Sequence, residues 1–182
     1  MRVVADIEVA KNFFSAYFLN YDTREETVFE ISSRKNQLNE IRNFLKKVTT
    51  IVTFNGEHYD NIILNCINLS YYLFRDLDAY SINKKLKEIS DSIINHKDGE
   101  FNEYARYKNG WNITKIDLFL YWSKMLRLSK KLSLKSLAVN MNWPRIQELP
   151  FDHDEEIPES FFDKVIDYNK NDVLITDNRS EE

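Results

Sequence analysis

Eight residues near the N-terminus, Arg2–Val9, restrict the fold of this chain more than any other stretch. Arg2-Val3-Val4-Ala5-Asp6-Ile7-Glu8-Val9 is rich in β-branched residues. Side chains alternate faces along a strand, so Val4, Asp6 and Glu8 share one face and Val3, Ala5 and Ile7 the other. A strand this apolar belongs inside a sheet, yet one face carries two carboxylates. Burying both costs several kcal/mol unless their charge is neutralised. A divalent metal is one solution.

The next segments repeat the strand pattern and then abandon it. Residues 13–21 and 26–31 read as two further strands, joined by the short polar link Asp22-Thr23-Arg24-Glu25 of a hairpin. From Asn36 the apolar spacing becomes 3 and 4 (Leu38, Ile41, Phe44, Leu45, Val48), which predicts an amphipathic helix with Ser33 or Asn36 as its cap. Residues 50–54 form a short apolar run suited to a central strand, ended by Asn55-Gly56. A helix is expected over 61–69 and another over 81–95. Residues 96–110 read as a loop or small hairpin, and 112–118 as the last strand. Helices are expected over 121–128 and 134–140, the second capped by Ser133. Residues 142–158 hold all three prolines and form an irregular connection. Helical spacing returns from Ser160, and 177–182 reads as a polar, frayed tail. The order is that of an α/β domain whose mixed sheet begins with antiparallel strands and continues with parallel crossover units. In such sheets functional groups gather beyond the carboxyl ends of the parallel strands.

Composition narrows the class. At 182 residues with 43% hydrophobic and 14% aromatic content, the chain supports one core, and a net charge of −4 does not favour disorder. A single cysteine, Cys66, excludes a disulfide framework and reads as a buried, inert thiol. No apolar run reaches the roughly 18 residues of a membrane span, and Asp6 and Glu8 interrupt any signal-peptide core, so a cytoplasmic protein is expected. The acidic balance argues against binding nucleic acid by bulk charge. It is compatible with a nuclease, whose carboxylates recruit cations that reverse the local sign.

Two further acids stand at telling places. Asp60 follows the apolar run 50–54 across the turn Asn55-Gly56-Glu57-His58-Tyr59. Asp172 lies on the last helix four residues after Tyr168, so phenol and carboxylate share one helix face. Taken together, Asp6-Ile7-Glu8, Asn55-Gly56-Glu57-His58-Tyr59-Asp60 and Tyr168-Asn169-Lys170-Asn171-Asp172 resemble, in order and spacing, the three motifs of the 3′→5′ exonucleases of the ribonuclease-H-like fold, which include the proofreading domains of DNA polymerases. The third motif is similar to that of the tyrosine branch; the histidine branch would place His at position 167, which is Asp here. Lys115-Ile116-Asp117-Leu118 and Leu134-Lys135-Ser136-Leu137-Ala138 also look like polymerase-type members. One departure is Val9, where the family commonly carries a small hydroxyl residue.

The resemblance implies a five-stranded mixed sheet flanked by helices, forming one exonuclease domain over residues 1–176 with an added helix and loop, 80–112, near the substrate groove. It implies two divalent ions, Mg²⁺ with Mn²⁺ as a substitute. Asp6 would bridge both, Glu8 and Asp172 would complete one site, and Asp60 would hold the second ion through water. Tyr168 would orient the attacking water; a phenol titrating near 10 is a poor base at neutral pH. Asn55 and Tyr59 would meet the terminal nucleotide, with Tyr59 either stacking on a base or packing in the core. The implied substrate is the 3′ end of single-stranded or frayed DNA, and a DNA polymerase domain or subunit is an implied partner. An RNA-trimming relative and a non-catalytic module binding nucleic acid or polymerase are the alternatives. An endonuclease of the same broad fold is disfavoured by Glu8. The span has no room for a polymerase palm or fingers, so a stand-alone enzyme, a separate subunit or an excised domain is expected. Lys124, Arg127, Lys130, Lys131 and Lys135 form a basic cluster that reads either as a phosphate path or as a solvated helix face. Asp117 reads as a buttress or cap, His153 as part of a solvated acidic loop, and the three tryptophans as core or rim.

Overall fold

A computed structural model describes residues 1–96, 103–125, 133–149, 151 and 154–180. It contains a five-stranded sheet in the order β3-β2-β1-β4-β5. The strands are β1 (Arg2–Val9), β2 (Phe14–Asn20), β3 (Glu26–Ile31), β4 (Thr50–Thr53) and β5 (Thr114–Asp117). β1 pairs antiparallel with β2 and parallel with β4, β2 pairs antiparallel with β3, and β4 pairs parallel with β5. The helices are α1 (Leu38–Leu45), α2 (Asp60–Leu69), α3 (Ala79–Ile94), α4 (Leu118–Met125), α5 (Leu134–Asn140) and α6 (Phe162–Ser180). The expected α/β architecture, with a mixed sheet flanked by helices, is therefore present.

The alternation along β1 sorts the helices into two layers. Val3, Ala5, Ile7 and Val9 face a large core with Phe14, Phe18 and Ile31, closed by Ile41 and Leu45 of α1, Ile63 and Ile67 of α2, and Ile82 and Leu86 of α3. Val4 faces the opposite side with Tyr17, Leu19 and Val52, closed by Leu118 of α4 and Val173 of α6. Asp6 and Glu8 follow Val4 on that side, so α6 covers the acidic face of the strand. A third cluster, Phe13, Ile157, Phe162 and Val165, seats the start of α6 against the β1–β2 turn.

Several boundaries differ from the sequence expectation for local reasons. α1 starts at Leu38 behind Gln37, and neither Ser33 nor Asn36 sits at its N-cap. The Ser33 hydroxyl bonds Glu159 instead, and Asn36 accepts from Leu38 N at 3.4 Å. β5 stops at Asp117, because that carboxylate accepts from Phe119 N at 2.9 Å and turns the chain into α4. Among the described residues of the expected loop over 96–110, Glu103–Lys108 is a 3-10 helix. Asn65 bonds the Tyr107 carbonyl there. The described part of the expected insertion, α3 with this short helix, packs on α2 and on the face away from α6. The polar tail expected from Asp177 begins later. α6 runs on to Ser180, and Asp177 is buried beneath a two-point ion pair with Arg24. Ser133 caps α5 as expected, in a reciprocal capping box with Ser136. Cys66 is buried, and burial pushes its thiol up to about 11, as suits an inert core residue. Among the described residues no helix is long and apolar enough to cross a membrane.

Glu30 ties β3 to α6. Its carboxylate is 1% exposed and accepts two bonds from Arg34, at 3.0 and 2.9 Å. Arg34 also reaches Asp163 at 2.9 Å and lies over the Phe162 ring. Arg34→Ala strips a buried charge of its forked partner. The expected loss is about 3 kcal/mol, read as a lower urea midpoint at unchanged slope.

Candidate functional site

The site forms where β1 outruns its parallel neighbour. β1 pairs with β4 only over Arg2 to Val4, opposite Thr50 to Val52. Past Val4 the chain from β4 bends away. Asn55 adopts the left-handed region at φ 63°, a conformation asparagine tolerates better than most residues. Asp117 holds this bend from below, accepting from Asn55 N at 2.9 Å and Glu57 N at 3.0 Å. The buttress expected of Asp117 is thus visible as two backbone bonds. Gly56 is required by space. A Cβ there would come within 2.1 Å of the Thr53 hydroxyl.

The bend delivers Asp60 to the N-terminus of α2, where it is 4% exposed. Its Oδ1 accepts from Ile7 N at 3.3 Å, at the part of β1 that β4 no longer pairs. From the opposite layer α6 brings Tyr168, Asn169 and Asp172 over β1. Asp6, Glu8 and Asp172 each offer a carboxylate oxygen lying within 4.8 Å of the others. Three of the four expected acids therefore converge. Asp60 stands outside this trio, behind β1, close enough for its charge to act on Asp6 and Glu8.

The electrostatics follow from that crowding. Burial, then Asp60, Asp172 and Glu8, hold the Asp6 carboxyl well above its ordinary value, against a bond from Asn169 that favours the charged form. Burial, then Asp172 and Asp60, raise Glu8 well above its own. Burial lifts Asp60 to about 7 and Asp172 to about 6; for Asp172 a hydrogen bond with Tyr168 acts the other way. Burial and the neighbouring acids push the Tyr168 phenol up, so it stays protonated at neutral pH.

A cleft of about 660 Å³ opens beside the acids, lined by Asp6, Asp172, Phe54, Asn55, His58, Phe119, Ser133 and Leu134. The Phe54 and Phe119 rings meet edge to face with centroids 5.8 Å apart. Asn55 thus lies on the cleft. Tyr59 does not; its half-buried ring packs on the large core and its hydroxyl meets Ser90 Oγ at 2.8 Å. In the basic cluster, Lys135 is ion-paired with Glu148 and Lys124 is exposed at the end of α4. Arg127, Lys130 and Lys131 lie outside the described residues, as does His153. Trp111 is buried, and half-buried Trp143 donates to Asn171 at 3.0 Å.

Two residues escaped the sequence reading. Phe119 carries no motif and is placed only by the turn after Asp117. Asn169 is fully buried and donates to Asp6 Oδ2 at 2.7 Å. Its signal was present as a polar residue midway between Val165 and Val173, in the register of a buried helical stripe.

The donor set fits a hard divalent cation. Three convergent carboxylates could supply oxygen ligands; burial holds all three above their ordinary values, and the neighbouring acids add to this at Asp6 and Glu8. No protein-family model matches the chain, and no solved structure matches it.

Proposed function

We propose that this chain is a divalent-metal-dependent 3′→5′ exonuclease of the ribonuclease-H-like fold, acting on single-stranded or frayed DNA ends. The observation that carries this reading is the convergence of Asp6, Glu8 and Asp172 at the edge of an aromatic-lined cleft, with the Tyr168 phenol on Asp172. Strand order and motif order agree with it. The first motif lies on the central strand, the second at the bend after its parallel neighbour, and the third on the helix that crosses both.

Asp6, Glu8 and Asp172 would hold Mg²⁺ or Mn²⁺, with Asp60 adding negative charge from behind. The bound ions would neutralise charge on the scissile phosphate and acidify water. Tyr168 keeps its proton, so its task is to orient the attacking water by hydrogen bonding; the raised phenol excludes it as a general base at neutral pH. Phe54 and Phe119 offer sequence-independent stacking for a terminal base, and Asn55 a polar contact beside them.

Tyr168→Phe therefore slows cleavage by roughly 10–100-fold, the scale of one lost hydrogen bond to a charged group, and leaves Mn²⁺ affinity unchanged. Single-turnover rates and calorimetric Mn²⁺ titration check the two halves. The function itself is tested with matched 5′-labelled DNA and RNA oligonucleotides, with Mg²⁺ and with chelator. A ladder shortening from the 3′ end on DNA supports the reading, and the same ladder on RNA alone moves the substrate to RNA. Nicked circles with intact linear strands would make the chain an endonuclease.

A further inference from the structure

Asn169 occupies a place where helix packing asks for an apolar side chain. It lies four residues after Val165 and four before Val173, all three fully buried between α6 and the sheet. Thr176 continues the stripe at 1% exposure. An amide buried there loses its water on both ends. Its nitrogen regains one bond, to Asp6 Oδ2 at 2.7 Å, while its Oδ1 has no partner among the described residues. A side chain half-satisfied in the core is a net burden on stability, so its return must come from what it does to Asp6.

Resting on the exonuclease reading, we infer that Asn169 is a positioning residue that fixes the Asp6 carboxylate for cation binding. The amide takes one oxygen of Asp6 and leaves the other to converge with Glu8 and Asp172. A neutral donor suits this task. A lysine would cancel the charge that attracts the cation, and a leucine would leave Asp6 free to rotate away from Glu8.

The test measures Mn²⁺ binding to substrate-free protein by calorimetry, with thermal midpoints alongside. Asn169→Leu keeps or raises the midpoint and weakens Mn²⁺ by roughly 10–100-fold, the range found when a group that orients a metal ligand is removed. Asn169→Ala gives the same loss of affinity and serves if the larger side chain disturbs packing. In activity assays both variants shift the Mg²⁺ concentration for half-maximal rate upward and recover at high Mg²⁺. A merely structural role would lower the midpoint and leave the Mg²⁺ dependence where it was. Unchanged Mn²⁺ affinity in both variants overturns the assignment to Asn169. Asp172→Ala is the control on the reading beneath it: if that variant binds Mn²⁺ as the parent does, the acids are not the cation site, whatever Asn169 does.

Discussion

On the proposed exonuclease reading, Asp172→Ala is expected to lower metal-dependent 3′-end degradation by roughly 10³-fold or more, the scale on which loss of one member of a catalytic unit is felt, with the protein still folded. The expected loss follows because Asp172 is the contribution of α6 to the convergent trio, whose other members, Asp6 and Glu8, both come from β1. The fold survives because the change removes one of several mutually repelling charges. Each neighbour then ionises more easily, since Asp172 raises Asp6, Glu8 and Asp60. Asp6→Ala has the same expected effect on activity and costs more stability, because it strips the buried Asn169 nitrogen of its one partner among the described residues. The measurement pairs a gel time course with thermal unfolding of each variant. Undiminished degradation by Asp172→Ala would remove the acids from the chemistry.

Metal-free protein is expected to lose stability as pH rises from about 4 to 7, and on the proposed reading Mg²⁺ or Mn²⁺ restores it at the upper end only. The direction follows from linkage. Asp60 and Asp172 titrate at about 7 and about 6 in the folded chain, against an ordinary value of 3.8. The folded state therefore holds their protons more tightly than the unfolded state does. Their contribution is fully present below the unfolded value and is lost as pH climbs through the folded values. For Asp60 alone the span corresponds to on the order of 4 kcal/mol, or roughly 10 °C in thermal midpoint for a chain of this size. Glu26, held below its ordinary value by its bonds with Lys170 and Tyr17, acts in the opposite sense, its contribution being lost as pH falls. Asp60→Asn isolates the effect, because its amide oxygen still accepts from Ile7 while its charge is gone. The pH slope of the parent minus that of the variant should be negative between pH 4 and 7. Cation at a hundredfold excess over its dissociation constant stabilises by about 2.7 kcal/mol at pH 7.5, and by much less at pH 4.5, where the acids hold protons. A flat difference curve would mean the acids are not crowded in solution.

Much of this was legible without coordinates, and the misses have local causes. Period-two alternation placed β1 and β3 at their observed bounds, and Ser133 announced α5, because strand alternation and capping act over a few residues. The acids were visible because charge on an apolar strand is anomalous wherever the strand ends up. Tyr59 was ambiguous, since an aromatic beside the turn before Asp60 suits either a binding surface or the core, and its bond to Ser90 of α3 depends on how α2 and α3 pack. The tail misled because Asp177 is polar by composition but buried by its partner Arg24, which is far away in sequence.

The sequence alone determined most of the element types, the face on which Asp6 and Glu8 lie, and the shared helix face of Tyr168 and Asp172, all consequences of 2.0- and 3.6-residue periods. Tertiary structure decided which oxygens meet. It set Asp60 behind β1 on the Ile7 amide, gathered Asp6, Glu8 and Asp172, and put Asn169 against Asp6. Periodicity fixes direction within one element, whereas a hydrogen bond or a shared cation requires two elements to be placed within a fraction of an ångström, and only packing of the whole chain does that.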